Sequence, residues 1–141
     1  MLSPILACED VAKAIEYYTE KLGFEKTMAM PGPDGVNTFA FVQLGASTVG
    51  LSRADTENVG NGVVFMVYLP EGTSIDDVYA DVKSKGVPFA EELRTEYWGD
   101  RVFSVKDPDG FFISICQTVE ETDMEHVEKV MRGEAEPNRK A

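Results

Sequence analysis

Tyr97, Trp98 and Arg101 are the side chains of this sequence whose types and spacing most readily suggest chemistry. An aromatic pair beside an arginine can stack on a planar ligand and hold an anionic or carbonyl group. The competing role is architectural, with Trp98 capping a sheet edge and Arg101 paired to Asp100 or Asp107. An enzyme working without metal would have to draw on Tyr97, Asp100 and Arg101, yet nothing in their spacing sets up an acid and a base. Nucleophilic catalysis has less to work with. The chain has no GxSxG, no Walker loop and no dinucleotide fingerprint, and its single histidine, His126, stands in the C-terminal tail. Cys8 and Cys116 each sit in an apolar run, where free cysteine behaves as a small hydrophobe, and neither belongs to a CxxC pair. Tyr17, Tyr18 and Tyr79 fall on predicted helices, where packing accounts for them.

The elements that must position these residues follow one order twice. An apolar strand, Pro4 to Cys8, leads through Glu9 and Asp10, both helix-cap types, into a helix with Val11, Ala14, Ile15, Tyr18 and Leu22 on one face. Gly23 stops it. Phe24 to Met30 reads as a strand, and Asn37 to Leu44 with Ser47 to Ser52 as a hairpin across Gly45-Ala46. After a polar linker, Arg53 to Gly62, the sequence repeats this plan: strand Val63 to Leu69, Thr73 or Ser74 as cap, and a helix burying Ile75, Val78, Tyr79 and Val82. Gly86 ends that helix, and Val87 to Leu93 is strand-like. Trp98 to Gln117 reads as a closing hairpin, turned by Asp107-Pro108-Asp109-Gly110, in which proline presets one turn position and glycine supplies the left-handed one. Alternation puts Phe112, Ser114 and Cys116 on one face of its outgoing strand and Phe111, Ile113 and Ile115 on the other. Each half is therefore βαβββ. We expect one α+β domain over residues 1–118, with modules 1–55 and 63–118. A tail over 119–141 carries a short helix with Met124, Val127, Val130 and Met131 at helical spacing.

The net charge of −12 excludes nucleic acid as a partner, since no basic stripe opposes it. No apolar stretch approaches the ~20 residues of a membrane span, and no secretory leader stands at the N-terminus, so a cytoplasmic protein is expected.

The doubled βαβββ order resembles the vicinal oxygen chelate superfamily, which includes glyoxalase I, bleomycin-resistance proteins and extradiol dioxygenases. Three stretches strengthen the likeness: Glu9-Asp10-Val11 leading through Tyr17-Tyr18 to Leu22-Gly23-Phe24, then Trp98-Gly99-Asp100-Arg101, then Asp107-Pro108-Asp109-Gly110. It covers Leu2 to Thr118. The resemblance implies a curved, cup-shaped mixed sheet and, in the metal enzymes of the family, four ligands projecting into the cup. Those positions fall here on Ser3, Gly50, Val63 and Ser114, and none can supply the imidazole or carboxylate of a zinc, nickel or iron site. No metal and no cofactor is therefore expected. The shared parity of these positions would line the cup with Ser3, Ile5, Ala7, Thr48, Gly50 and Ser52 from the first module. From the second it would take Val63, Phe65, Val67, Phe112, Ser114 and Cys116. Phe39, Phe41 and Phe103 either line the same cup or fill it as core. The expected function is metal-independent binding and sequestration of a small organic compound, aromatic or cationic, by a homodimer. Ser3, Ile5, Phe39, Phe41, Gly50, Val63, Phe65, Trp98, Arg101, Phe103, Phe112 and Ser114 would form its site. The rivals are a glyoxalase-like lyase or isomerase with an atypical or metal-free site, and an interaction protein that uses the C-terminal helix.

Overall fold

The computed structural model describes residues 3–53 and 63–141; most of the predicted linker, together with the expected end of the first module at residue 55, lies outside the described residues. The first module runs β1 (Ile5–Cys8), α1 (Val11–Glu16, continued by a wide π-type turn over Tyr17–Lys21), β2 (Glu25–Pro31), β3 (Asn37–Leu44) and β4 (Ser47–Arg53). The second runs β5 (Val64–Tyr68), α2 (Ile75–Ser84), β6 (Phe89–Thr95), β7 (Asp100–Lys106) and β8 (Phe112–Thr118), and α3 (Met124–Met131) follows. The strands form two sheets of one plan, ordered β1-β4-β3-β2 and β5-β8-β7-β6, in which only the β1–β4 and β5–β8 pairings are parallel.

The caps are made as their residue types dictate. Asp10 accepts from the Lys13 amide and Ser74 from the Asp77 amide, each satisfying an otherwise orphaned donor in the first helical turn. Each sheet then buries one face under its helix. Leu6, Ala40, Val42, Val49 and Leu51 pack with Val11, Ala14 and Tyr18, and Val67, Phe103, Val105, Ile113 and Ile115 pack with Ile75 and Val82, all in one continuous core. Burial of this apolar surface is the main force holding the modules together.

Polar contacts add direction to that packing. The Tyr18 hydroxyl donates to Asp107 Oδ2 at 3.1 Å, the Tyr17 hydroxyl to the Lys106 carbonyl at 3.0 Å, and the Glu9 amide to Asp109 Oδ1 at 3.0 Å. The first helix is thus clasped to the β7–β8 turn within a single chain. The tail docks on the second module. Lys140 forms an antiparallel bridge with Thr95 at the edge of β6, Arg139 Nε meets Glu96 Oε2 at 2.7 Å, and the Thr122 hydroxyl donates to the Trp98 carbonyl. Val127 is the buried residue of α3, while Met124 and Met131 remain exposed.

Candidate functional site

The register fixes what the helix-free faces carry. Ile5 lies beside Gly50, Phe41 beside Gly50 on the other flank, and Phe39 beside Ser52, so Ile5, Ala7, Phe39, Phe41, Gly50 and Ser52 share one face with Met28 and Met30 of β2. Phe39 and Phe41 meet edge to face, ring centroids 4.9 Å apart. Gly50 is the low point where they converge: a Cβ there would sit 3.0 Å from Ile5 Cγ1 and 3.2 Å from Phe41 Cε1. This face is apolar, with Ile5 61 % exposed and Met30 also exposed, while Gly50 itself is buried.

In the second module Met66 lies beside Ser114, Val64 beside Phe112 and Tyr68 beside Cys116. The open-face residues of β5 are therefore Val64, Met66 and Tyr68, not the predicted Val63, Phe65 and Val67. Val64 and Met66 are 62 % and 50 % exposed, whereas Phe65 turns to the helix side and packs against Phe111. Phe103 leaves the predicted site for the same reason, being fully buried between Tyr79 and Phe89. Arg101 also faces the helix side. Its guanidinium grips Asp76 of α2, with Nη2 2.8 Å from Oδ1, and holds that carboxyl below the usual carboxylate range. It pairs with neither Asp100 nor Asp107. Ser3 and Val63 precede their strands and line a cleft of about 490 Å³ between the modules, together with Thr48, Val49 and the run Val64 to Val67, so the predicted Phe65 and Val67 border this cleft although they face the helix side of their sheet.

Trp98 does belong to the helix-free side, through Asp100. The indole Nε1 donates to Asp100 Oδ2 at 3.0 Å, the Tyr68 hydroxyl donates to the same oxygen at 2.7 Å, and Thr118 donates to Oδ1 at 2.8 Å. These bonds satisfy a carboxylate that is buried. The bond to Asp100 is the main reason the Tyr68 phenol is held above its ordinary pKa. Tyr68 was missed in the sequence because its partner lies 32 residues away. A second polar cluster joins Ser104, Ser114 and Glu91 on the same face, with Arg94 beside Glu91.

The donor set does not suit a divalent ion. Gly50 and Ser114 are flanked in register by Ile5 and Met66, and Ser3 and Val63 add no imidazole or carboxylate. Among the described residues no three His, Cys, Asp or Glu side chains come together in metal-binding geometry. His126 lies on α3 and lines a different pocket, with Glu96, Tyr97 and Glu120. Cys8 and Cys116 are buried free thiols, each pushed up to about 12 chiefly by burial, which makes them poor nucleophiles.

Two βαβββ modules, each a four-stranded mixed sheet with one helix-covered and one helix-free face, define the class of protein. The chain belongs to the Glyoxalase/Bleomycin resistance protein/Dioxygenase superfamily, whose profile it matches over residues 2–115. Its curated relatives include uncharacterised proteins of Mycobacterium bovis and Mycobacterium tuberculosis, each 27 % identical over 96 % of this chain and covering 94 % and 84 % of the relative. Among solved structures, TioX from Micromonospora sp. superposes with a TM-score of 0.68 at 19 % identity, over 86 % of this chain and 98 % of that one. A lactoylglutathione lyase from Agrobacterium tumefaciens superposes with a TM-score of 0.64 at 20 % identity, over 83 % and 92 %. At such identities the likeness establishes the shared fold.

Proposed function

We propose that this chain binds a small organic molecule in its cup without using a metal, and sequesters it unchanged. One observation carries the reading. At the positions where metal-dependent relatives would need donors, β1 pairs Ile5 with Gly50 of β4 and β5 pairs Met66 with Ser114 of β8, so the sheets present apolar side chains and a hydroxyl in place of metal ligands. Exposed Ile5, Met30, Val64, Met66 and Tyr68, with half-buried Phe39, Phe41 and Phe112, give an aromatic or aliphatic body much to cover. The acidity of the chain favours a cationic ligand over an anionic one. The reading includes a cytoplasmic homodimer, checked by sedimentation; no helix among the described residues is long and apolar enough to cross a membrane.

The test is a thermal-shift series with planar arylalkylammonium compounds, run in chelator and again with zinc or nickel. Stabilisation that grows with compound concentration and is the same in both conditions supports sequestration, because a ligand that binds only the native state raises its melting temperature by mass action. Stabilisation that appears only with metal overturns it.

A further inference from the structure

The cleft between the modules meets both of its walls edge-on. Five consecutive residues, Val63 to Val67, border it, and so do the four that lead into and begin β4, Ala46 to Val49. Side chains alternate between the two faces of a strand, so a cavity that touches every residue of a run reaches the backbone at the strand's edge. Hydrogen bonding fixes which groups point there. β5 is an outer strand of its sheet and pairs in parallel with β8, and the Leu69 amide donates to the Cys116 carbonyl at 2.9 Å. Leu69 therefore faces β8, as do Val67 and Phe65 at two-residue steps, and the amides and carbonyls of Val64 and Met66 face outward. They have no backbone partner among the described residues. On the other wall the Gly50 amide donates to the Pro4 carbonyl at 2.8 Å, so Gly50, and Thr48 two residues before it, face β1. The next ladder bond would carry an N–H from residue 4 to the Thr48 carbonyl. Pro4 has no N–H, so that carbonyl lacks its ladder donor, and the pairing of β1 with β4 begins at Ile5.

We infer that this cleft binds a neutral stretch of extended peptide along the edge of β5. The inference goes beyond the cup reading, because neither Ile5 nor Gly50 borders the cleft. Met66 offers a donor and an acceptor, Val64 repeats them two residues away, about 6.6 Å along the strand, and the Thr48 carbonyl on the opposite wall accepts a further N–H. A chain of secondary amides in the strand conformation carries its own donors and acceptors at that same repeat, which is how extended peptides add to open sheet edges. Pro4, Val49, Val63 and Phe65 give apolar contact to its side chains, and about 490 Å³ is room for a ligand of a few residues. Charge decides the rest. The chain carries 25 acidic and 13 basic residues, yet none of them lines the cleft, so a terminal ammonium or carboxylate would lose its water there and gain no partner. The occupant is therefore an interior segment of a longer chain, or a peptide with blocked ends, and not a free oligopeptide.

The test is an amide NMR titration of the full chain with acetyl-valyl-alanyl-valine N-methylamide. The Met66 and Val64 amide protons should move downfield on binding, while those of Phe65 and Val67, already bonded to β8, should hold their positions. An ester analogue, with oxygen in place of the central N–H, should bind about two- to ten-fold more weakly, the worth of one hydrogen bond. The tripeptide with free ends should bind at least about ten-fold more weakly. Met66→Pro removes an outward donor without touching the β8 ladder, and should weaken the blocked peptide about two- to ten-fold. Pro4→Ala restores the N–H opposite Thr48, so the protein satisfies that carbonyl itself. It should weaken the blocked peptide by the same factor with no loss of thermal stability, and it carries the test if Met66→Pro does not fold. Failure of the blocked peptide to bind, equal binding of the amide and the ester or of the blocked and free peptides, or unchanged binding in Pro4→Ala overturns the inference. Each of these results leaves the cup reading standing, since the arylalkylammonium series tests that separately.

Discussion

Replacing Tyr18 with Phe should weaken the protein by an amount that depends on pH in an unusual sense. Tyr18 is buried, and its hydroxyl donates to Asp107 Oδ2, while Oδ1 accepts from the Asp109 and Phe111 amides at 2.9 Å each. Burial raises the Asp107 carboxyl above its ordinary 3.8, and the bonds from Phe111 and Tyr18 oppose that rise without cancelling it. A carboxyl whose folded pKa lies above its unfolded one binds its proton more tightly in the native state. Its burden on stability is thus absent below 3.8, grows as pH rises, and is complete above the folded value. Removing the hydroxyl deletes a bond to a charged group at neutral pH, worth about 1.5–3 kcal/mol, but only an ordinary bond of about 0.5–1.5 kcal/mol once Asp107 is protonated. Urea unfolding of both proteins at a series of pH values from 7.5 downwards should give a difference of about 2 kcal/mol at pH 7.5 that shrinks as Asp107 takes up its proton. A difference that is constant, or that grows as pH falls, refutes the assignment of Tyr18 and Asp107 as the clasp between modules.

Filling the floor should empty the cup of ligand. Gly50→Leu places its side chain against Ile5 and Phe41, costs about 1–3 kcal/mol by overpacking, and should reduce naphthylmethylammonium affinity at least about ten-fold by calorimetry. Gly99 has φ +97°, and a Cβ there would run into the Glu120 carbonyl at the root of the tail. Gly99→Ala should therefore lower stability by about 2–4 kcal/mol in chemical denaturation, and a neutral result would show that the tail yields there. Cys8 and Cys116, pushed up to about 12, should react with a thiol reagent at pH 8 only as fast as the protein opens, and quickly in denaturant. Fast reaction of either thiol in the native protein would contradict their burial.

The architecture was legible in the sequence because local signals there agree with the packing. The two caps and the Asp107-Pro108-Asp109-Gly110 turn act over a few residues and form where they were read, with the structure choosing Asp10 over Glu9 and Ser74 over Thr73. The facing of β5 was not legible. Val63 to Leu69 is apolar at every position, so no alternation distinguishes Val64, Met66 and Tyr68 from Val63, Phe65 and Val67; only pairing with β8 decides. The strand holding Phe103 has the same ambiguity, since Val102 and Phe103 are both apolar. Arg101 was ambiguous because the carboxylate it grips, Asp76, belongs to a helix 25 residues earlier. The gathering of Tyr68 and Trp98 on Asp100 was hidden likewise, by a separation that only the completed sheet closes.

The most direct measurement is calorimetric titration of naphthylmethylammonium into the full-length protein, in chelator and then with added zinc or nickel. One affinity in both conditions, lost in Gly50→Leu, is what a metal-free cup lined by Ile5, Gly50, Met66 and Ser114 predicts. Binding that requires the metal, or that persists unchanged in Gly50→Leu, would contradict it.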